Sequence, residues 1–236
     1  MTDVTVVVPT RNEAPNVGPL VSRASDALSP LGLRWQLVFV DDSDDATPAR
    51  VAAAARQGHP VRLLHRAPEA RVGGLGGAVL VGFEQAVTSD IIAVMDGDLQ
   101  HPPELLVGLV QAVQPGGTDV AVASRFLAAG DPGCLGPWRR AVSHGSRSSV
   151  RLLFRDLRRV ADPLSGFFAL RRTVIDGVDL RPEGFKILLE VLVRGSWGTI
   201  TEIPCGLAPR HHGESKARLD QGLAFGRQVA RLLIAP

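Results

Sequence analysis

Residues 91–104, IIAVMDGDLQHPPE, decide how the rest of the chain reads. Ile91–Met95 is a short apolar run rich in β-branched residues. Asp96-Gly97-Asp98 is a turn carrying two carboxylates, and His101-Pro102-Pro103 is the punctuation that starts a helix. Strand, acidic turn and helix start thus follow directly on one another. The same unit recurs outwards in both directions. Val4–Val8, Leu37–Val40, Val61–Leu64 and Val120–Ala123 read as further strands, each nearly all apolar, as expected for strands covered on both faces. Helical patterns lie between them at about 15–28, 47–57, 75–87 and 103–113. This rhythm predicts an α/β fold with a doubly wound, mostly parallel sheet, whose ligands gather at the carboxyl ends of the strands.

The second half is less regular. It predicts a basic helix near 139–160, a strand at Phe167–Leu170, a helix near 184–194, a strand at Thr199–Ile203 and a final amphipathic helix near 216–234. No repeat or long linker divides the chain, so 1–236 reads as one domain. Its nucleotide half is about 1–125, and 126–236 is a C-terminal elaboration with amphipathic helices.

Composition excludes several classes. Of 236 residues, 45% are hydrophobic, enough for a buried core. The net charge of +2 argues against a nucleic-acid polymer as partner. Only Lys186 and Lys216 are lysines, so arginine supplies nearly all of the 26 cations. Cys134 and Cys205 are too few for a disulfide scaffold or a zinc site, and reduced thiols in a cytosolic protein are expected. The N-terminus lacks the pattern of a signal peptide, and no stretch reaches the ~18 apolar residues of a membrane span.

The chemistry concentrates at two strand ends. Asp41 and Asp42 follow Leu37–Val40, and Asp96 and Asp98 follow Ile91–Met95. Carboxylates crowded at a strand end repel one another unless a cation or polar ligand is present. In Asp96-Gly97-Asp98 the glycine allows a turn that aims both carboxylates at one ion, and Gln100 adds a neutral oxygen. All-oxygen ligands suit Mg²⁺ or Mn²⁺. A lone Asp before a helix is an ordinary cap. The pattern D-x-D-x-Q at a strand end, with a second acidic pair two βα units earlier, favours a site. The run Gly73, Gly74, Gly76, Gly77 follows the third strand and lacks the dinucleotide-binding spacing, so it reads as close helix packing and a loop.

Taken together, VVVPTRNE (6–13), VDDSDDAT (40–47), GLGGA (74–78), MDGDLQHPPE (95–104), ASRF (123–126), DPLSGFFALRR (162–172), GFKILLEVLVRG (184–195) and RHHGESK (210–216) resemble the family-two glycosyltransferases of the GT-A (Rossmann-like) fold, nearest to the dolichol-phosphate or polyprenol-phosphate mannosyltransferases. The resemblance implies that Pro9, Arg11 and Glu13 line the donor nucleotide, and that Val40 and Asp42 meet its base and ribose. Asp96, Gly97, Asp98 and Gln100 would hold the divalent ion and donor diphosphate. Arg125, Lys186, Arg210 and Lys216 fall on motif positions; they imply cations that gather a diphosphate donor and a phosphate acceptor. Asp98, Arg125, Arg210 and Lys216 would be catalytic, Lys186 would bind the donor, and Arg125, Arg139 and Ser143 the acceptor phosphate. Where the family often has a lysine before its glycine motif, this chain has Arg71.

Arg140, Arg147, Arg151, Arg155 and Arg158 form one stripe on a helical projection, opposite Val142, Leu153, Leu157 and Val160. Such a stripe is either a solvated face or a rest for anionic lipid headgroups; the resemblance favours the latter, with a peripheral location on the inner, cytoplasmic face of a membrane. The implied function is inverting, metal-dependent transfer of a hexose, mannose from GDP-mannose, to a polyprenyl phosphate. The alternatives are a UDP-glucose transferase, a transferase to a soluble hydroxyl, or a nucleotide-sugar binding module without turnover. An ionised lipid phosphate needs no general base, so His144, His211 and His212 are discounted; a hydroxyl acceptor would need one, with Glu183 or Glu190 as candidates.

Overall fold

A computed structural model describes residues 2–127, 137–181, 185–208 and 219–234, with 137–140 and 219–221 described as backbone only. The elements are β1 (Val4–Thr10), α1 (Ala14–Leu28), β2 (Trp35–Asp41), α2 (Thr47–Arg56), β3 (Val61–His65), α3 (Gly74–Gln85), β4 (Ile91–Val94), α4 (Leu105–Val113), β5 (Val120–Ser124), α5 (Pro137–Leu153), β6 (Phe168–Arg171), α6 (Ile187–Arg194), β7 (Ile200–Pro204) and α7 (Leu219–Ile234). The expected strands all form within a residue or two of their predicted bounds.

The strands build one sheet in the order β3-β2-β1-β4-β6-β5-β7. Every pairing is parallel except those of β6, which runs antiparallel between β4 and β5. Side chains alternate across the sheet with the two-residue period of a strand. Val4, Val6 and Val8 enter the core under α1, α2 and α4, while Val7 enters the core under α3, α5, α6 and α7. The doubly wound layering expected from the βα rhythm is therefore present.

Two readings change. β3 is an edge strand whose Arg62 and His65 are exposed, so it is not covered on both faces. The helix expected over 139–160 ends at Leu153 and gives way to a 3₁₀ turn at Arg155–Arg159. That break rotates the following residues out of the projected stripe. Leu157 and Val160 are buried as expected, but Val142 and Leu153 are exposed. Arg147 turns inwards: its Nε donates to the Ala161 carbonyl, and its guanidinium lies 4.6 Å from the Phe126 ring centroid.

The glycine run packs as expected. A Cβ on Gly77 would lie 2.0 Å from the Val72 carbonyl oxygen, so the start of α3 admits no side chain there.

Candidate active site

The carboxyl ends of β1, β2 and β4 meet at Thr10. Its hydroxyl donates to Asp41 Oδ1 at 2.8 Å, its carbonyl accepts the Asp42 amide at 2.9 Å, and a Cβ on Gly97 would lie 2.7 Å from its methyl group. Gly97 therefore allows the Asp96–Asp98 turn to lie directly against β1. Asn12, in a left-handed conformation (φ 57°), ties the first loop to the second. Its amide donates to Ser43 Oγ at 2.7 Å, and its Oδ1 accepts the Asp44 amide at 2.9 Å. The Glu13 amide donates to Thr47 Oγ1 at 2.9 Å, and Glu13 Oε2 accepts from Asn16 at 2.7 Å. Glu13 and the exposed Arg11 thus stand at the rim, beside the buried Pro9.

The first acidic pair is not a pair of open carboxylates. Asp41 is fully buried and accepts from Thr10, from Ser43 Oγ at 2.5 Å and pairs with His65 Nδ1 at 2.7 Å, so it is a structural hub. Asp42 is gripped by Arg66, whose Nε and Nη2 lie 2.7 and 2.6 Å from its two oxygens. Arg66 is itself buried and also donates to the carbonyls of Val72 and Gly74, which binds Asp42 to the glycine loop. The cation needed to relieve this acidic strand end is thus supplied by the chain. Asp42 retains acceptor capacity on each oxygen. Val40 has its side chain fully buried in the core beneath α3, so only its main chain can face a nucleotide. Arg71 stands over the same loop, with Nη1 2.8 Å from Asp44 Oδ1 and Nη2 3.2 Å from the Ser43 carbonyl.

The second acidic pair is partly open at Asp96. The Asp96 side chain is 32% exposed and Asp98 is largely buried. Asp98 Oδ1 accepts the Gln100 amide at 3.1 Å, and Leu99 between them takes a left-handed φ of 60°. A left-handed leucine is costly and persists where the surroundings impose it. Asp96 lies against Gly166: a Cβ there would meet Asp96 Oδ2 at 2.8 Å. Among the described residues no three or more His, Cys, Asp or Glu side chains form a metal cage. Two carboxylates and an amide oxygen, with glycine leaving room on two sides, are instead the partial oxygen set that suits Mg²⁺ or Mn²⁺ and leaves positions for phosphate.

Cations stand nearby. Arg125 follows β5 and forms a fork with Asp162, at 2.7 Å from Nε to Oδ2 and 2.9 Å from Nη2 to Oδ1. Asp162 is fully buried, and its own amide and that of Ala161 are held by Glu202 of β7. Lys186, at the start of α6, donates to the Leu164 carbonyl at 3.0 Å. Burial, and then the neighbouring Arg125, push its pKa down to about 8, while Asp162 and Asp96 pull the other way. His101 lies beneath the carboxylates, and burial followed by Arg125 pushes it down to about 4, so it is neutral.

The structure therefore brings Asp96, Asp98, Gln100, Arg125 and Lys186 to one sheet edge. Ser143 is half-buried on α5, and Arg139 is described only in its backbone. Arg210 and Lys216 lie outside the described residues, as do Glu183, His211, His212 and Cys134. Cys205 is a free buried thiol, pushed up to about 11 by burial. Glu190, a candidate base for a hydroxyl acceptor, sits in a network of ion pairs. It is fully buried and accepts from Arg194, Arg231 and the Arg181 amide at 2.9–3.0 Å. Sequence reasoning gave no role to Arg66, His101 or Asp162. The last two lie inside quoted motifs; Arg66 carried no local signal, because its partner is 24 residues away.

The chain is 37% identical to a dolichol-phosphate mannosyltransferase of Pyrococcus furiosus over 98% of its length, and spans 63% of that protein. It is 35% identical to the dolichol-phosphate mannosyltransferase of Saccharomyces cerevisiae, covering 98% of this chain and 87% of that one. Among solved structures, mannosyl-3-phosphoglycerate synthase from Rubrobacter xylanophilus superposes with a TM-score of 0.74 at 22% identity, covering 99% of this chain and 74% of that one. Glucosyl-3-phosphoglycerate synthase from Mycobacterium tuberculosis, solved with Mn²⁺ and UDP, gives 0.64 at 22%, covering 99% and 79%. These likenesses carry the GT-A type of fold. Residues 5–178 match the family described as glycosyl transferase family 2, and the chain belongs to that family.

Proposed function

We propose that this chain transfers mannose from GDP-mannose to a polyprenyl phosphate, with inversion at the sugar and with a divalent ion, at the cytoplasmic face of a membrane. The observation that carries the reading is the gathering of both charge sets in one place: Asp96 acts electrostatically on Arg125 and Lys186, and Asp98, Arg125 and Lys186 all act on His101. Relatives 30–37% identical that are named dolichol-phosphate mannosyltransferase or polyprenol monophosphomannose synthase support the same reading.

An ionised phosphate oxygen of the acceptor attacks C1 of the sugar as the bond from C1 to the donor phosphate breaks. The electron pair of that bond leaves with the nucleoside diphosphate, and C1 inverts. No proton has to be removed from the nucleophile, which is consistent with Glu190 being locked in a structural network. Asp96, Asp98 and Gln100 would hold a divalent ion, which would supply charge neutralisation to the departing diphosphate. Arg125, already aligned by Asp162, and Lys186 offset the repulsion between two anionic substrates; in this reading Arg139, Arg210 and Lys216 would add positive charge and Ser143 a hydroxyl donor for the acceptor phosphate. Catalysis then rests on positioning and electrostatics.

No helix among the described residues is long and apolar enough to cross a membrane. Membrane contact in this reading is peripheral. It uses the exposed Val142, Leu152 and Leu153 of α5 and Leu223, Leu233 and Ile234 of α7, with the exposed Arg155, Arg158 and Arg159 near anionic headgroups.

The test incubates purified protein with Mn²⁺, labelled GDP-mannose or UDP-glucose, and a short polyprenyl phosphate, and counts label extracted into organic solvent. Transfer from GDP-mannose is expected. Transfer only from UDP-glucose would replace the donor, and no transfer from either would overturn the reading. Sedimentation with vesicles containing anionic lipid tests the membrane contact, and failure to co-sediment would remove it.

A further inference from the structure

His101 is the one ionisable side chain in the crevice whose buried hydrogen-bonding atom has no partner among the described residues. The side chain is only 7% exposed. Its Nδ1 points at Asp96 Oδ2 from 3.7 Å, outside hydrogen-bonding range. Leaving such an atom unpaired in the interior costs about 1–3 kcal/mol, so its survival calls for a state in which it is satisfied. A bare Nδ1 would set its lone pair against a carboxylate oxygen. The tautomer that fits therefore carries its proton on Nδ1. The ring cannot swing away freely, because it packs on Phe167 with centroids 5.4 Å apart and the planes tilted by 51°. Asp96 is confined as well, since Gly166 lies against the same oxygen: a Cβ there would stand 2.8 Å from Asp96 Oδ2.

We infer that His101 is the positioning residue for Asp96: its Nδ1–H closes onto Asp96 Oδ2 when a divalent cation and a diphosphate occupy the crevice. A displacement of about 1 Å brings 3.7 Å to a normal hydrogen bond. Carboxylates that hold a metal are themselves commonly fixed by a hydrogen bond, which sets their orientation and affinity. A neutral imidazole does this without placing a competing positive charge beside the ion. The inference rests on the reading of Asp96 and Asp98 as metal ligands.

The test measures Mn²⁺ affinity in the presence of GDP, by the paramagnetic resonance of free Mn²⁺, for the wild type, His101→Leu, His101→Asn and Asp98→Ala. Asn places its amide N–H close to where Nδ1–H stands, so it can restore the bond; Leu keeps volume and cannot. His101→Leu is expected to weaken Mn²⁺ binding roughly 10–100-fold and His101→Asn to recover most of it. In wild-type protein with Mg²⁺ and GDP, the Nδ1 proton of His101 should appear as a slowly exchanging, downfield nuclear magnetic resonance signal. Wild-type affinity in the Leu variant, an Asn variant as weak as Leu, or no such proton signal would each overturn the inference. If wild type and Asp98→Ala bind Mn²⁺ equally, the metal-ligand reading itself fails and the inference with it. Weak binding by Asp98→Ala beside normal binding by His101→Leu would overturn the inference alone.

Discussion

Replacing Asp162 by alanine removes the carboxylate that forks with the Arg125 guanidinium, which is 14% exposed, and leaves a cation in the interior. Two charge-assisted bonds of 2.7 and 2.9 Å disappear, and the Arg125 amide loses an acceptor at 3.2 Å. Breaking a buried pair from one side typically costs about 3–5 kcal/mol, because the surviving charge stays desolvated. A domain this size holds only about 5–15 kcal/mol in total, so the loss is a large share of it. Removing both partners, as in Asp162→Ala with Arg125→Met, leaves no unpaired charge and should recover much of that loss. Urea denaturation followed by tryptophan fluorescence yields all four corners of the cycle. The double variant is expected to be more stable than Asp162→Ala alone, yet without transferase activity, because the cation proposed to meet the substrate phosphates is gone. An Asp162→Ala loss below about 1 kcal/mol, or a double variant as unstable as the sum of the singles, would refute the view that Asp162 exists to hold a buried Arg125.

Three further outcomes follow from other residues. Gly166→Ala places a Cβ 2.8 Å from Asp96 Oδ2 and should lower Mn²⁺ affinity on the order of 10-fold with little change in melting temperature; unchanged affinity would show that Asp96 has room to retreat. His101 has a folded pKa of about 4 against 6.5 in the unfolded chain, so the unfolded state takes up the extra proton between those values. Its contribution is therefore complete above pH 6.5 and falls away towards pH 4, by about 3 kcal/mol, and His101→Asn should remove that slope from denaturation curves taken across this window. Glu190→Gln should destabilise by roughly 2 kcal/mol or more by stranding Arg194 and Arg231, while turnover per folded molecule stays near wild type; a selective loss of turnover would return Glu190 to the chemistry.

The sequence by itself determined what depends on near neighbours. Apolar β-branched runs marked each strand, prolines marked two helix starts, and D-x-D-x-Q at the end of β4 marked the second acidic pair. The order of the motifs identified the family before any contact was known. Only the tertiary structure decided what depends on distant partners. It inserted β6 antiparallel between β4 and β5, which sets Gly166 against Asp96. It separated two acidic pairs that looked alike, burying Asp41 in a hydrogen-bond hub and closing Arg66 over Asp42, while leaving Asp96 partly open. It turned Arg147 inwards and broke the arginine stripe at Leu153. The physical reason is that a periodicity is set by the backbone within a few residues. Whether a carboxylate is free, paired or buried depends on which side chain, 24 or 37 residues away, the closing of the sheet brings to it.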